Sequence, residues 1–185
     1  MDIGDLEIVE KALQVMMPEE KWGEEQHLMD TPLRFAKMMV ELTMPEDFKF
    51  TTFENYENVD EMVVVKDIPF YTFCAHHIIP FFGVAHVAYV PGERIAGLSK
   101  FARAVQWFSR GLNVQEVLTQ DITDWLEAKL EPKGVAVIMQ AEHLCMTMRG
   151  AQVAGTKTQT ACMKGVFADH TKTAKTEFLE AIRGH

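Results

Sequence analysis

The chain has 185 residues, about one domain's length, of which 48% are apolar and 24% charged. That is a globular balance, and it excludes disordered, collagenous and coiled-coil chains. No apolar run approaches the ~18 residues of a membrane span, and the formal net charge of −9 comes with no basic stripe for nucleic acid.

Met1–Glu10 holds four acids and no base, which is not the pattern of a signal peptide. Three cysteines cannot all pair within one chain, so they read as reduced thiols of a cytoplasmic protein. The charge is unevenly spread: residues 1–62 carry 16 acids and 5 bases, residues 63–185 carry 11 acids and 13 bases. The acidic third reads as solvated helical surface, and the remainder is able to accept an anionic ligand.

In chain order, Leu6, Val9, Leu13 and Met16 recur at helical spacing and predict a helix ending near Pro18. Thr31-Pro32 is an N-cap and N1 pair for a second helix, with Phe35, Met38, Met39 and Leu42 as its apolar stripe, closing before Pro45. Residues 45–60 read as an irregular polar connection. Met62–Val65 and Phe70–Phe73 read as two strands broken at Asp67–Pro69, and Gly83–Val90 as another, ended by Pro91-Gly92. A helix opens at Gly97-Leu98-Ser99 and stops at Gly111. Asn113 with Glu116 forms a capping-box-like start for a helix reaching about Leu130. Two further β segments, Val135–Met139 continuing towards Met148 and Thr156–Val166, precede a closing helix over Thr173–Arg183. The order from residue 62 is β-β-α-α-β-β behind a helical N-terminus, an α+β pattern. It divides into an N-terminal helical segment, 1–60, and a core, 61–185, within one domain overall.

Three constellations carry chemistry. Cys74-Ala75-His76-His77 follows a strand, and Cys74 and His77 are three apart, a common spacing for two ligands of one zinc ion. His143-Leu144-Cys145 offers a third ligand; in an extended segment His143 and Cys145 share one face. Cys74, His77 and Cys145 would leave the fourth zinc position open, as in catalytic sites, with His76 and His143 beside the metal as proton-transfer groups. The alternative is two unrelated pairs of buried cysteines and locally satisfied histidines. Cys162 reads as packing, and His27, His86, His170 and His185 as locally satisfied.

Ser99, Lys100 and Arg103 occupy the first turn of a helix, where the backbone and dipole favour a phosphate. Cations there oppose the dipole unless an anion binds; otherwise Ser99 caps and the cations are solvated. Arg149 is a further cation beyond Cys145. Glu116 either completes its capping box or pairs with the N–H groups of a guanine edge.

These segments together resemble GTP cyclohydrolase I. The matching stretches are T-P-L-R-F-A-K-M at 31–38, C-A-H-H-I-I-P-F at 74–81, G-L-S-K-F-A-R at 97–103, S-R-G-L-N-V-Q-E-V-L-T at 109–119 and H-L-C-M-T-M-R-G-A-Q at 143–152. The resemblance implies Cys74, His77 and Cys145 as ligands of Zn2+, and Ser99, Lys100, Arg103 and Arg149 around a triphosphate. Arg34 and Lys37 would join from a neighbouring subunit. It implies that Gln115 and Glu116 read the guanine, and that His143, His76 and Ser99 serve the proton transfers. The implied substrate is GTP, opened at its imidazole ring to give 7,8-dihydroneopterin triphosphate and formate. The implied fold is the tunnelling fold, assembled as pentameric rings stacked into a decamer with interfacial active sites. Ala75 stands where the family usually has Glu. That departure motivates one alternative, a zinc-bound guanine-nucleotide-binding member with altered or lost turnover; an enzyme acting on dGTP is a second, separate alternative.

Overall fold

The computed structural model describes residues 30–183 together with Lys11 and Val15. The helix expected over residues 6–16 lies outside the described stretch, as do His27 and His185. The chain divides into two compact units, residues 1–44 and 45–185, earlier than the boundary at 60/61 expected from sequence.

The described part of the first unit is helix α1 (Thr31–Thr43), which buries Pro32 and Ala36. Asp30, rather than Thr31, stands at its N-cap and makes no side-chain capping bond. Of the expected stripe, Met38 is exposed. The helix closes where the Met44 N–H reaches Val40 O, immediately before Pro45.

The second unit is α+β. Its elements are β1 (Thr52–Glu54), β2 (Val63–Cys74), β3 (Pro80–Val90), β4 (Arg94–Ala96), α2 (Ser99–Ser109), β5 (Leu112–Asn113), α3 (Gln115–Leu130), β6 (Gly134–His143), α4 (Leu144–Thr147), β7 (Lys157–Gly165) and α5 (Ala174–Arg183). Its sheet runs β5-β2-β3-β6-β7, antiparallel from β2 to β7, with β5 parallel to the end of β2. The order β2-β3-α2-α3-β6-β7 is the β-β-α-α-β-β pattern read from the sequence. The stretch 45–60 is not wholly irregular, because β1 pairs with β4.

β2 is one strand, not two. The expected break is a bulge between Val65 and Ile68, where Asp67 takes a left-handed φ of 58° and donates its N–H to His86 Nδ1 at 3.1 Å. A bulge adds one residue without ending the ladder, and Pro69 is tolerated because, among the described residues, β2 has a strand neighbour at that level only on its β3 side.

β6 is buried on both faces, and its alternation separates two cores. Val135, Val137 and Met139 pack with Phe70, Phe81, Phe101, Leu118, Ile122 and Leu126 under α2 and α3. Ala136 and Ile138 turn the other way, to Phe167 and to Phe178 of α5. Each fully buried large side chain contributes about 1.5–3 kcal/mol. β3 and β6 lie so close at Gly83 that a Cβ there would run into the backbone at Gln140. This close pairing fixes the register Phe81↔His143, which positions the site.

Candidate active site

Cys74 is the last residue of β2, buried, and the tight turn that follows returns the chain to β3. The turn is closed by the Ile78 N–H on Cys74 O at 2.8 Å and the Cys74 N–H on Ile79 O at 2.9 Å. Ile78 pays a local conformational cost there, with a φ of 52° on a β-branched residue. The turn is tethered sideways, since the Ala75 N–H donates to Asn113 O at 3.0 Å. Asn113 does not cap α3. Its amide donates to Thr72 Oγ1 at 2.8 Å and to Phe108 O at 3.2 Å, tying the end of α2 to β2, while Val114 holds the N-cap position. The capping-box reading of Asn113 and Glu116 is therefore corrected.

Because β3 begins beside the end of β6, the 75–79 turn lies next to the segment after His143. That segment is not extended: Leu144–Thr147 form the single helical turn α4. The helical turn, rather than a shared strand face, carries Cys145 towards Cys74. Ligand atoms of Cys74, His77 and Cys145 all lie within 4.8 Å of one another. The Cys74 Sγ is 3.6 Å from the Nδ1 of both His77 and His76, the latter being outside the three-residue group. Burial pushes the Cys145 thiol above its ordinary range, and the adjacent Cys74 sulfur adds to this, with Arg149 offsetting part of the rise. Two thiols and one imidazole converging on a point, with no fourth protein ligand in the group, make a donor set that fits a metal ion with one position open. Cys162 is on β7 opposite Val137, outside the group.

His143 ends β6 and faces α3. Its ring stacks on buried Phe81 with centroids 4.3 Å apart and planes 8° from parallel. Its Nε2 lies 2.7 Å from Gln115 Oε1. Burial holds the imidazole below its ordinary pKa, and the nearby Glu116 carboxylate counters part of that. Gln115, expected on the guanine, is only 2% exposed. Its amide nitrogen reaches Met139 O, Thr158 O and Thr160 Oγ1 at 3.1–3.2 Å. Glu116, next to it, is exposed on the first turn of α3.

Ser99, Lys100 and Arg103 stand together at the start of α2, Ser99 and Arg103 exposed and Lys100 half-buried. Leu98 holds the N-cap position and no side chain caps the helix, so Ser99 is not a cap. Arg149 is exposed in the loop after α4. Among the described contacts, none joins the α2 cations to the Cys74–His77–Cys145 group. Arg34 and Lys37 are exposed on α1, where Arg34 lies 3.8 Å from Asp30.

Sequence reasoning missed Phe81, Thr119 and Thr160. Thr119 and Thr160 share a 2.6 Å hydrogen bond across 41 positions, and such a contact leaves no local signature. Among the described residues no helix is long and apolar enough to cross a membrane.

Comparison with known proteins gives the same reading. The family model described as GTP cyclohydrolase I matches residues 8–183. The chain is 44% identical over 183 residues to GTP cyclohydrolase 1 of Aquifex aeolicus, covering 97% of this chain and 98% of that protein. It is 47% identical over 163 residues to GTP cyclohydrolase 1 of a Geobacillus species, covering 85% of each. A solved structure, an archaeosine synthase QueF-like protein in its apo form, superposes with a TM-score of 0.45 at 19% identity, over 56% of this chain and 93% of that one. With a Cys–His–Cys group assembled at the end of the sheet and a family match spanning nearly all of its length, the chain belongs to the GTP cyclohydrolase I family.

Proposed function

We propose that this enzyme holds one zinc ion on Cys74, His77 and Cys145 and opens the imidazole ring of GTP, releasing formate and giving 7,8-dihydroneopterin triphosphate. The observation that carries the reading is the convergence of those three ligand atoms within 4.8 Å. Bound there, the ion would supply Lewis-acid chemistry, lowering the pKa of a water towards ~7 so that it can serve as a nucleophile at neutral pH.

The rest is work for the chain's own side chains. His143, held against Phe81, takes a proton from the water that adds at C8 and delivers it to N7, ending neutral as it began. The exposed Glu116 accepts hydrogen bonds from the N–H groups of the guanine edge. Ser99, Lys100, Arg103 and Arg149 bind the triphosphate, the first three at the open end of α2. His76, adjacent to Cys74, and Ser99 assist the later proton shifts as the ribose opens and the ring re-closes. Arg34 and Lys37 complete the phosphate site from a neighbouring subunit, in pentameric rings stacked into a decamer. The three free cysteines suit a cytoplasmic enzyme.

Incubation of zinc-loaded protein with GTP, and with dGTP beside it, tests the proposal through formate release and pterin fluorescence. Turnover of GTP is expected. Nucleotide binding with intact zinc and no formate would instead support the non-catalytic reading that Ala75 motivates.

A further inference from the structure

Gln115 is the largest buried polar side chain of α3, and the direction of every hydrogen bond around it can be worked out. The Thr119 hydroxyl is 2.7 Å from Gln115 O, a carbonyl that only accepts, so Thr119 donates there. Its proton being committed, the 2.6 Å contact between Thr119 Oγ1 and Thr160 Oγ1 requires Thr160 to donate. Thr160 Oγ1 is then an acceptor for Gln115, as are the carbonyls of Met139 and Thr158. All three surround one end of the amide, so that end must be the NH2. Rotating the amide by 180° would press its oxygen against two carbonyl oxygens in a buried site, at a cost of about 1–3 kcal/mol per unmatched group. The other end, Oε1, is therefore an acceptor, and its partner at 2.7 Å, His143 Nε2, must carry the proton.

We propose that Gln115 is a positioning residue. Its amide oxygen locks His143 in the Nε2–H tautomer against Phe81 and leaves Nδ1 as the nitrogen open to the substrate. This replaces a guanine contact for the Gln115 side chain, whose polar atoms are already engaged inside the chain. It rests on the reading of His143 as the proton-exchanging group. An imidazole free to choose its tautomer would offer the wrong nitrogen for part of the time, and an orienting partner removes that loss. The lock is built from three elements: Gln115 and Thr119 on α3, Met139 and His143 on β6, and Thr158 and Thr160 on β7.

The test uses the zinc-loaded full chain carrying ring-15N histidine, in solid-state 15N spectra at a pH where the imidazole is neutral. The His143 signals are those lost in His143→Asn. The wild-type protein is expected to show a pyrrole-type Nε2 and a pyridine-type Nδ1. Gln115→Met, which keeps the shape without the acceptor, is expected to give mixed tautomers and to lower kcat about 10²-fold while KM for GTP changes little. A pyrrole-type Nδ1 in the wild type would overturn the proposal, and so would a rise in KM with kcat retained in Gln115→Met. If Gln115→Met does not fold, the wild-type spectrum alone decides. A wild-type protein with the Nε2–H signature and no formate would sink the assigned reaction while leaving the lock in place.

Discussion

Two clusters of candidate functional side chains sit in residues 45–185, and they are built by opposite means. The cations at the start of α2 are neighbours because a helix places residues 99, 100 and 103 on adjoining positions. They are exposed or half-buried, with no side chain capping the helix. The Cys74–His77–Cys145 group, with His143 and Gln115 behind it, draws on β2, the turn after it, β6, α3 and α4. It is partly buried and depends on the register Phe81↔His143. A site made by local spacing tolerates small shifts of the sheet. A site made by strand register does not, because a one-residue slip turns every side chain to the other face.

The largest expected effect follows from attacking the register-built site directly. Cys145→Ser should reduce zinc content to background and formate release by more than ~10³-fold. Metal analysis beside the formate assay checks it. Retained zinc at full occupancy would show that Cys145 is no ligand.

Gly83→Ala should be next. Its new Cβ meets the Gln140 backbone, which cannot move without disturbing the β3–β6 ladder. A stability loss of about 2–4 kcal/mol is expected, read by denaturant unfolding, with weakened zinc binding and an α2 cluster otherwise intact.

The locally built cluster should respond differently. Lys100→Met with Arg103→Met should raise KM for GTP roughly 10- to 100-fold and weaken the salt dependence of binding, leaving zinc content unchanged. Loss of zinc in that variant would show that the two clusters are coupled within one chain.

The smallest effect concerns His86, under the β2 bulge. Burial lowers its pKa, with Asp67 opposing and Lys66 adding to the shift, and its Nδ1 accepts the Asp67 N–H. The unfolded chain therefore binds the proton first. Stability contributed by the neutral imidazole is present above about pH 6.5 and is lost as pH falls towards the lower, folded-state value. The slope is at most about 1.4 kcal/mol per pH unit. His86→Gln should flatten that acid-side slope in thermal melts recorded between pH 5 and 7. An unchanged slope would place the titration elsewhere.

Much of the fold was legible from local pattern. α2 and α3 were readable from Gly97-Leu98-Ser99, Gly111 and Pro132, and β6 from its unbroken apolar run. The misreadings fall where a residue answers to a distant partner. Asp67–Pro69 looks like a chain break, yet His86, 19 positions on, accepts the Asp67 N–H and helps hold it as a bulge. Asn113 looks like a helix cap, yet its amide is used by Thr72, 41 positions back. Residues 143–145 read as extended, and the helical turn there appears only once Cys145 lies beside the turn after β2.

The sequence by itself pointed to the three residues that gather as a group able to hold a metal, and to the residues expected on phosphate at the start of α2. Those signals are residue types at short spacing, and chemistry limits what such groups do. Only the tertiary structure decided how these groups are held: Phe81 against His143, and Gln115 turned inward by Met139, Thr158 and Thr160. The physical reason is that a buried amide must satisfy both of its ends. Which partners satisfy them is settled by strand pairing, between residues that have no proximity along the chain.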